Sequence, residues 1–135
     1  MTHLTENSIE SFTLELLEKL GYQYLYAPDI APDSDTPERE SYAQVLLLKR
    51  LQTAVKRINQ NIPANVLEEA IKEIQRIASP ELLANNETFH RYLTEGVPVS
   101  KRVDGNDRGD RVWLIDFKNP HHNEFVVANQ FTIIE

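Results

Sequence analysis

Gly96 divides this chain by the period of its apolar residues, and that division limits the folds open to it. Before Gly96, apolar residues recur every three or four positions, the repeat of a helix face. After it they alternate, the repeat of a strand face. Helices followed by strands predict an α+β fold, with a helical N-terminal two-thirds and then an antiparallel sheet. A chain of 135 residues can bury a core and has the size of one domain, so 1–135 reads as a single domain.

The local signals fill in this outline. Asn7-Ser8-Ile9-Glu10 has the form of a capping box; Ile9, Phe12, Leu16 and Leu20 follow at helical spacing, and Gly21 stops the helix. Tyr22–Tyr26 is short and aromatic, which predicts a strand. PDIAPDSDTPERE, with its prolines and acids, predicts an exposed loop. A second helix is expected from Ser41 to Asn59, with Val45, Leu48, Leu51, Val55 and Ile58 on one stripe and Leu46 and Leu47 widening it. Pro63 suits the first turn of a third helix carrying Val66, Leu67, Ala70, Ile71, Ile74 and Ile77. Ser79-Pro80-Glu81 ends that helix and caps a fourth, which holds Phe89, Tyr92 and Leu93. Beyond Gly96 the expected strands are Val97–Val103, Arg111–Phe117 and Glu124–Ile134, with turns at Asp104-Gly105 and Asn119–Asn123. Their short connections favour a three-stranded antiparallel meander.

Composition narrows the function. The net charge is −7, unlike a domain built to clamp nucleic acid, although Lys49, Arg50, Lys56 and Arg57 form one basic cluster and Lys101, Arg102, Arg108 and Arg111 another. The absence of cysteine excludes disulfides and thiolate metal sites and fits a cytoplasmic location. No signal peptide, transmembrane run, P-loop or nucleophile elbow is present.

Asp116 and Lys118 have the acid-x-lysine spacing of a metal-dependent nuclease, a carboxylate for Mg²⁺ and a lysine for water or phosphate. On a strand the two would share a face, but a working site needs a further acid. The plainer role for Asp116 is to accept hydrogen bonds from the turn that follows. His121, His122 and Glu124 read as a surface turn rather than metal ligands. Asn129 shares a face with Phe125, Val127, Phe131 and Ile133, so its amide needs a partner and should hold a loop or strand in place. Gln130 falls on the opposite face. Glu10 either completes the first helix's cap or presents a carboxylate to a metal site.

These residues carry a resemblance. Gly96-Val97-Pro98-Val99, Gly105, Arg108-Gly109, Val112-Trp113-Leu114-Ile115-Asp116-Phe117, Asn119-Pro120, Asn123, Phe125 and Asn129-Gln130-Phe131 resemble the N-terminal region of the R subunit of type I restriction-modification enzymes. The opening, Thr5-Glu6-Asn7-Ser8-Ile9-Glu10 with Leu16-Leu17 and Leu20-Gly21-Tyr22, fits as well. The resemblance implies an incomplete PD-(D/E)xK restriction-nuclease-like domain, in which Asp116-Phe117-Lys118 lies upstream of the active-site strands and the metal-binding Asp and Glu-x-Lys pair follow beyond Glu135. It further implies a large subunit that cleaves foreign double-stranded DNA with Mg²⁺ and ATP-driven translocation, in complex with methyltransferase and specificity subunits. By the same resemblance Glu10, or Glu6, is a first-helix carboxylate near the metal, and the 135 residues alone are inactive, with neither Mg²⁺ nor ATP expected bound to them. An exposed strand edge at Glu124–Glu135 would favour self-association. Two alternatives stand beside it: an acidic binding module or DNA mimic, suggested by Asp29, Asp33, Asp35, Glu38 and Glu40, and a small Mg²⁺-dependent nuclease using Asp116, Lys118 and Glu10.

Overall fold

A computed structural model describes residues 5–77, 82–103 and 105–134. Its elements are α1 (Glu6–Lys19), β1 (Gln23–Tyr26), a 3-10 turn Ala27–Ile30, α2 (Leu48–Ile58), α3 (Ala64–Arg76), α4 (Leu82–Glu95), β2 (Val97–Val103), β3 (Asn106–Val112), a 3-10 turn Pro120–His122 and β4 (Val126–Asn129). The α+β class holds. The chain divides into two compact units, residues 1–48 with 124–135, and residues 49–123. The expected cap at Ser79-Pro80-Glu81 and Asp104 of the expected turn lie outside the described residues.

The first unit pairs α1 with a small sheet. The cap of α1 is Thr5 rather than Asn7: the Ser8 N–H donates to Thr5 Oγ1 at 3.1 Å. Glu6 then falls in the first turn, where the helix dipole favours it, and Glu10 is released from capping. The helix ends as its Gly21 predicts. Gly21 has φ +102°, its N–H donates to Glu18 O, and Tyr22 N–H reaches Leu17 O, the paired bonds of a Schellman stop. The stripe Ile9, Phe12, Leu16 and Leu20 stays at least half exposed.

β4 does not extend a meander. It pairs parallel with β1, Gln23 opposite Val126 through Tyr26 opposite Asn129, and spans Val126–Asn129 only. Gln130 has φ +55° and breaks the ladder there, which shortens the expected Glu124–Ile134 strand. The acidic loop is not simply exposed either. Ala27, Ile30, Ala31 and Arg39 are buried. Arg39 donates from Nε to Gln44 O and from Nη2 to Tyr42 O, both at 2.9 Å, and its guanidinium lies 4.0 Å from the Phe131 ring centre. The Gln44 side chain takes the Glu40 N–H and donates to Leu46 O. The carbonyls of Tyr42, Gln44 and Leu46 are thereby spoken for by side chains, so α2 begins at Leu48 and not at Ser41.

The second unit holds the larger core: Val55, Val66, Leu67, Ala70, Ile71, Ile74, Val97, Val112 and Leu114 are buried. α3 contributes Val66, Leu67, Ala70, Ile71 and Ile74 to this core at helical spacing, and it packs on β2. β2 and β3 form an antiparallel hairpin with Val97 opposite Val112 and Val103 opposite Asn106. Gly96, at φ +81°, lets α4 turn directly into β2; a Cβ there would sit 3.2 Å from Arg111 Cβ and from Val112 O.

The expected strand Arg111–Phe117 is displaced toward the N-terminus, starting at Asn106 and stopping at Val112. Asn59 explains the stop. Its buried side chain accepts from Trp113 N–H and donates to Trp113 O, both at 2.8 Å. One amide on α2's C-terminal end takes the place of a neighbouring strand. Among the described residues the sheets are therefore two separate pairs, antiparallel β2–β3 and parallel β1–β4, and the three-stranded meander is not formed.

Candidate functional site

The residues singled out in the sequence lie in two places. In the first unit, Glu10 sits in the second turn of α1 and faces the C-terminal end of β4. Tyr24 of β1 donates its hydroxyl to Asn129 Oδ1 at 2.7 Å. That contact fixes which way the amide points, so Asn129 Nδ2 faces Glu10 and donates to Oε1 at 2.5 Å. Gln130 Nε2 donates to both Glu10 oxygens, at 3.2 Å each. Asn129 thus holds a partner, as a half-buried amide must. Its partners are a strand tyrosine and a helix glutamate.

Gln130 departs from expectation. In a regular strand it would point away from Asn129, but its left-handed backbone turns both side chains toward one carboxylate. The sequence gives no sign of this, because glutamine lacks the preference of Gly or Asn for positive φ. The cluster opens on a pocket of ≈ 480 Å³ whose lining includes Glu10, Glu15, Glu18, Ser11 and Tyr26 and no lysine or arginine. Such a lining attracts cations. Among the described residues no three histidine, aspartate or glutamate side chains gather closely enough to hold a metal by themselves.

In the second unit, Asp116 organises the turn after Leu114. Its Oδ1 accepts from the N–H groups of Lys118 at 3.1 Å and Asn119 at 2.9 Å, and its Oδ2 lies 3.0 Å from His122 Nδ1. Asn123 closes the loop: its Oδ1 accepts from Asp116 N–H, and its Nδ2 donates to the carbonyls of Asp116 and Pro120. The Asn119 N–H above all, joined by the His122 ring and the Lys118 N–H, holds the Asp116 carboxyl below the ordinary aspartate range against a smaller opposing effect of desolvation. Residues 113–118 are not a strand, so Asp116 and Lys118 do not share a strand face. The carboxylate works as a turn brace. His121 and His122 lie in the 3-10 turn, ring against ring at 4.6 Å.

Asp33 accepts from the Tyr42 hydroxyl at 2.7 Å, a bond that raises the Tyr42 pKa above its ordinary value. Arg39, which the sequence placed in an exposed loop, is the buried post around which this segment folds. A larger cavity of ≈ 620 Å³ between α2 and α3 sets Lys56, Lys72, Gln60 and Gln75 around Leu67 and Ile71. It contains no residue of either cluster. No described helix is long and apolar enough to cross a membrane.

Comparison with known proteins agrees with the resemblance. The family description "Type I restriction enzyme R protein N terminus" matches residues 3–135. The type I restriction enzyme HindI endonuclease subunit of Haemophilus influenzae is 31% identical over 130 residues, covering 96% of this chain and 12% of that protein. A Methanocaldococcus jannaschii protein, provisionally named as the type I restriction enzyme MjaIXP endonuclease subunit, is 32% identical over 125 residues, 93% of this chain and 12% of its own length. The chain therefore spans about an eighth of these relatives. No solved structure gives a significant match.

Proposed function

The chain belongs to the family of the type I restriction enzyme R protein N terminus, and from that premise we propose that it supplies the first helix and supporting sheet of an R subunit's nuclease region. The whole subunit, in this reading, cleaves foreign double-stranded DNA with Mg²⁺, driven by ATP-dependent translocation and assembled with methyltransferase and specificity subunits. The nuclease region is of the PD-(D/E)xK kind. The observation that carries the proposal is the near full-length family match, with Glu10 on α1 facing an acid-lined pocket.

Glu10 fits a Mg²⁺ site as one contributor. Mg²⁺ keeps several waters and takes one or two carboxylates together with phosphate oxygens. When bound, the ion would supply Lewis-acid activation of the scissile phosphate. Glu10 would hold one of its inner positions, and Glu15 and Glu18 would add negative field at the pocket. Asp116 and Lys118 take no part, since Asp116 is engaged in its own turn. ATP finds no P-loop in this chain.

The test is Glu10→Ala in an R subunit carrying this segment, assembled with its methyltransferase and specificity subunits. DNA cleavage should be lost while ATP hydrolysis persists; cleavage at the unaltered rate removes Glu10 from the site. The β1–β4 sheet leaves each strand one edge without a strand partner among the described residues, so the 135-residue chain should self-associate at high concentration. Light scattering that reports a monomer throughout would refute this.

A further inference from the structure

The amide pair Asn129-Gln130 sits at an unusual place in the backbone, and its role at Glu10 needs a reason. Gln130 is the one described residue other than glycine with positive φ. A left-handed conformation at a glutamine is unfavourable and persists where the surroundings demand it. Its consequence here is that two consecutive side chains reach one carboxylate. Gln130 Nε2 spans both oxygens of Glu10 at 3.2 Å, which fixes the plane of the carboxylate. Asn129 Nδ2 takes Oε1 at 2.5 Å, and Tyr24 fixes the Asn129 amide in turn at 2.7 Å.

An ionised carboxylate has about four lone-pair positions. The two amides fill three, two on Oε1 and one on Oε2. One position on Oε2 is left over. A half-buried helix glutamate would otherwise move among rotamers; this one is held by a fork of amides on the wall of the pocket. Carboxylates that ligate metals are commonly steadied in this way, and removing such a partner lowers metal affinity.

We infer that Asn129, Gln130 and Tyr24 are positioning residues that present Oε2 of Glu10 to a hard divalent cation. This rests on the reading of Glu10 as a metal-site carboxylate. The competing possibility is that the amides merely tie α1 to β4. A tie would affect thermal stability and leave cation affinity alone. Gln130→Gly separates the two, because glycine accepts the left-handed backbone and removes the amide.

The experiment titrates Mn²⁺ into an R subunit carrying this segment and follows the bound ion by electron paramagnetic resonance, with melting curves alongside. The unaltered subunit should hold Mn²⁺ that Mg²⁺ displaces. Glu10→Gln should abolish that binding. Gln130→Gly should raise the Mn²⁺ needed about tenfold, with a melting temperature unchanged or higher. Tyr24→Phe should lie between Gln130→Gly and the unaltered subunit. Mn²⁺ binding that Glu10→Gln removes but Gln130→Gly leaves unchanged, or strengthens, would overturn the positioning role while leaving Glu10 in place. Mn²⁺ binding that Glu10→Gln leaves unchanged would overturn both.

Discussion

Replacing Asn59 by alanine should loosen the second unit at the point where α2 meets the end of the β2–β3 hairpin. Asn59 is 6% exposed and its side chain makes both bonds to the Trp113 main chain at 2.8 Å. Alanine leaves one N–H and one C=O of Trp113 without their partner. A buried main-chain group stripped of its partner costs about 1–3 kcal/mol. Trp113 itself is 38% exposed, so water can reach part of the vacated site. The expected loss is about 2 kcal/mol rather than the full sum of the two. For a chain of this size that lowers the melting temperature by about 5–10 °C. Trp113 is the single tryptophan, so its fluorescence during urea unfolding reports on this locus. Hydrogen exchange at the Trp113 amide should accelerate by a factor consistent with the same loss. Asn59→Asp should cost at least as much at neutral pH, because it sets a buried charge against the carbonyls of Val55 and Trp113. A loss under about 0.5 kcal/mol for Asn59→Ala, with Trp113 exchange unchanged, would refute the claim that this amide stands in for a strand.

Arg39→Ala should destabilise the first unit by about 2–3 kcal/mol, the scale of hydrogen bonds made by a charged group, and expose residues 31–47 to limited proteolysis. Arg39→Lys should not rescue it, since an ammonium cannot reproduce the forked donation to Tyr42 and Gln44 or the stacking on Phe131. The Asp116 turn should be sensitive to acid. Its folded pKa lies below the unfolded value of about 3.9, so the stabilisation is fully present above that value and is lost as pH falls through the folded one. NMR shifts of the Lys118 and Asn119 amides should titrate in that acidic window, and a midpoint above the ordinary aspartate value would contradict the turn's hydrogen bonding. The 135-residue chain by itself should not nick plasmid DNA with Mg²⁺, because Asp116 is committed to bracing its own turn; nicking that disappears on Asp116→Ala would reinstate the acid-x-lysine pair as catalytic.

The apolar period by itself determined the class of the fold, the existence of the four described helices and the core face of α3, because helical spacing is a local property of the sequence. Local residue type likewise determined the stop at Gly21 and the brace at Asp116, since short-range hydrogen bonds need only neighbours in sequence. The family resemblance was legible for the same reason: it lies in consecutive letters. Tertiary structure decided what depends on distant partners. Arg39 captured the carbonyls that would have begun α2 at Ser41. Asn59 closed Trp113 and ended β3 early. β4 chose β1, about a hundred residues away in sequence, over the hairpin beside it. That pairing, with the left-handed turn at Gln130, is what brings Asn129, Gln130 and Tyr24 onto Glu10. Strand partners and side-chain clusters are settled by which surfaces meet, and no local period carries that information.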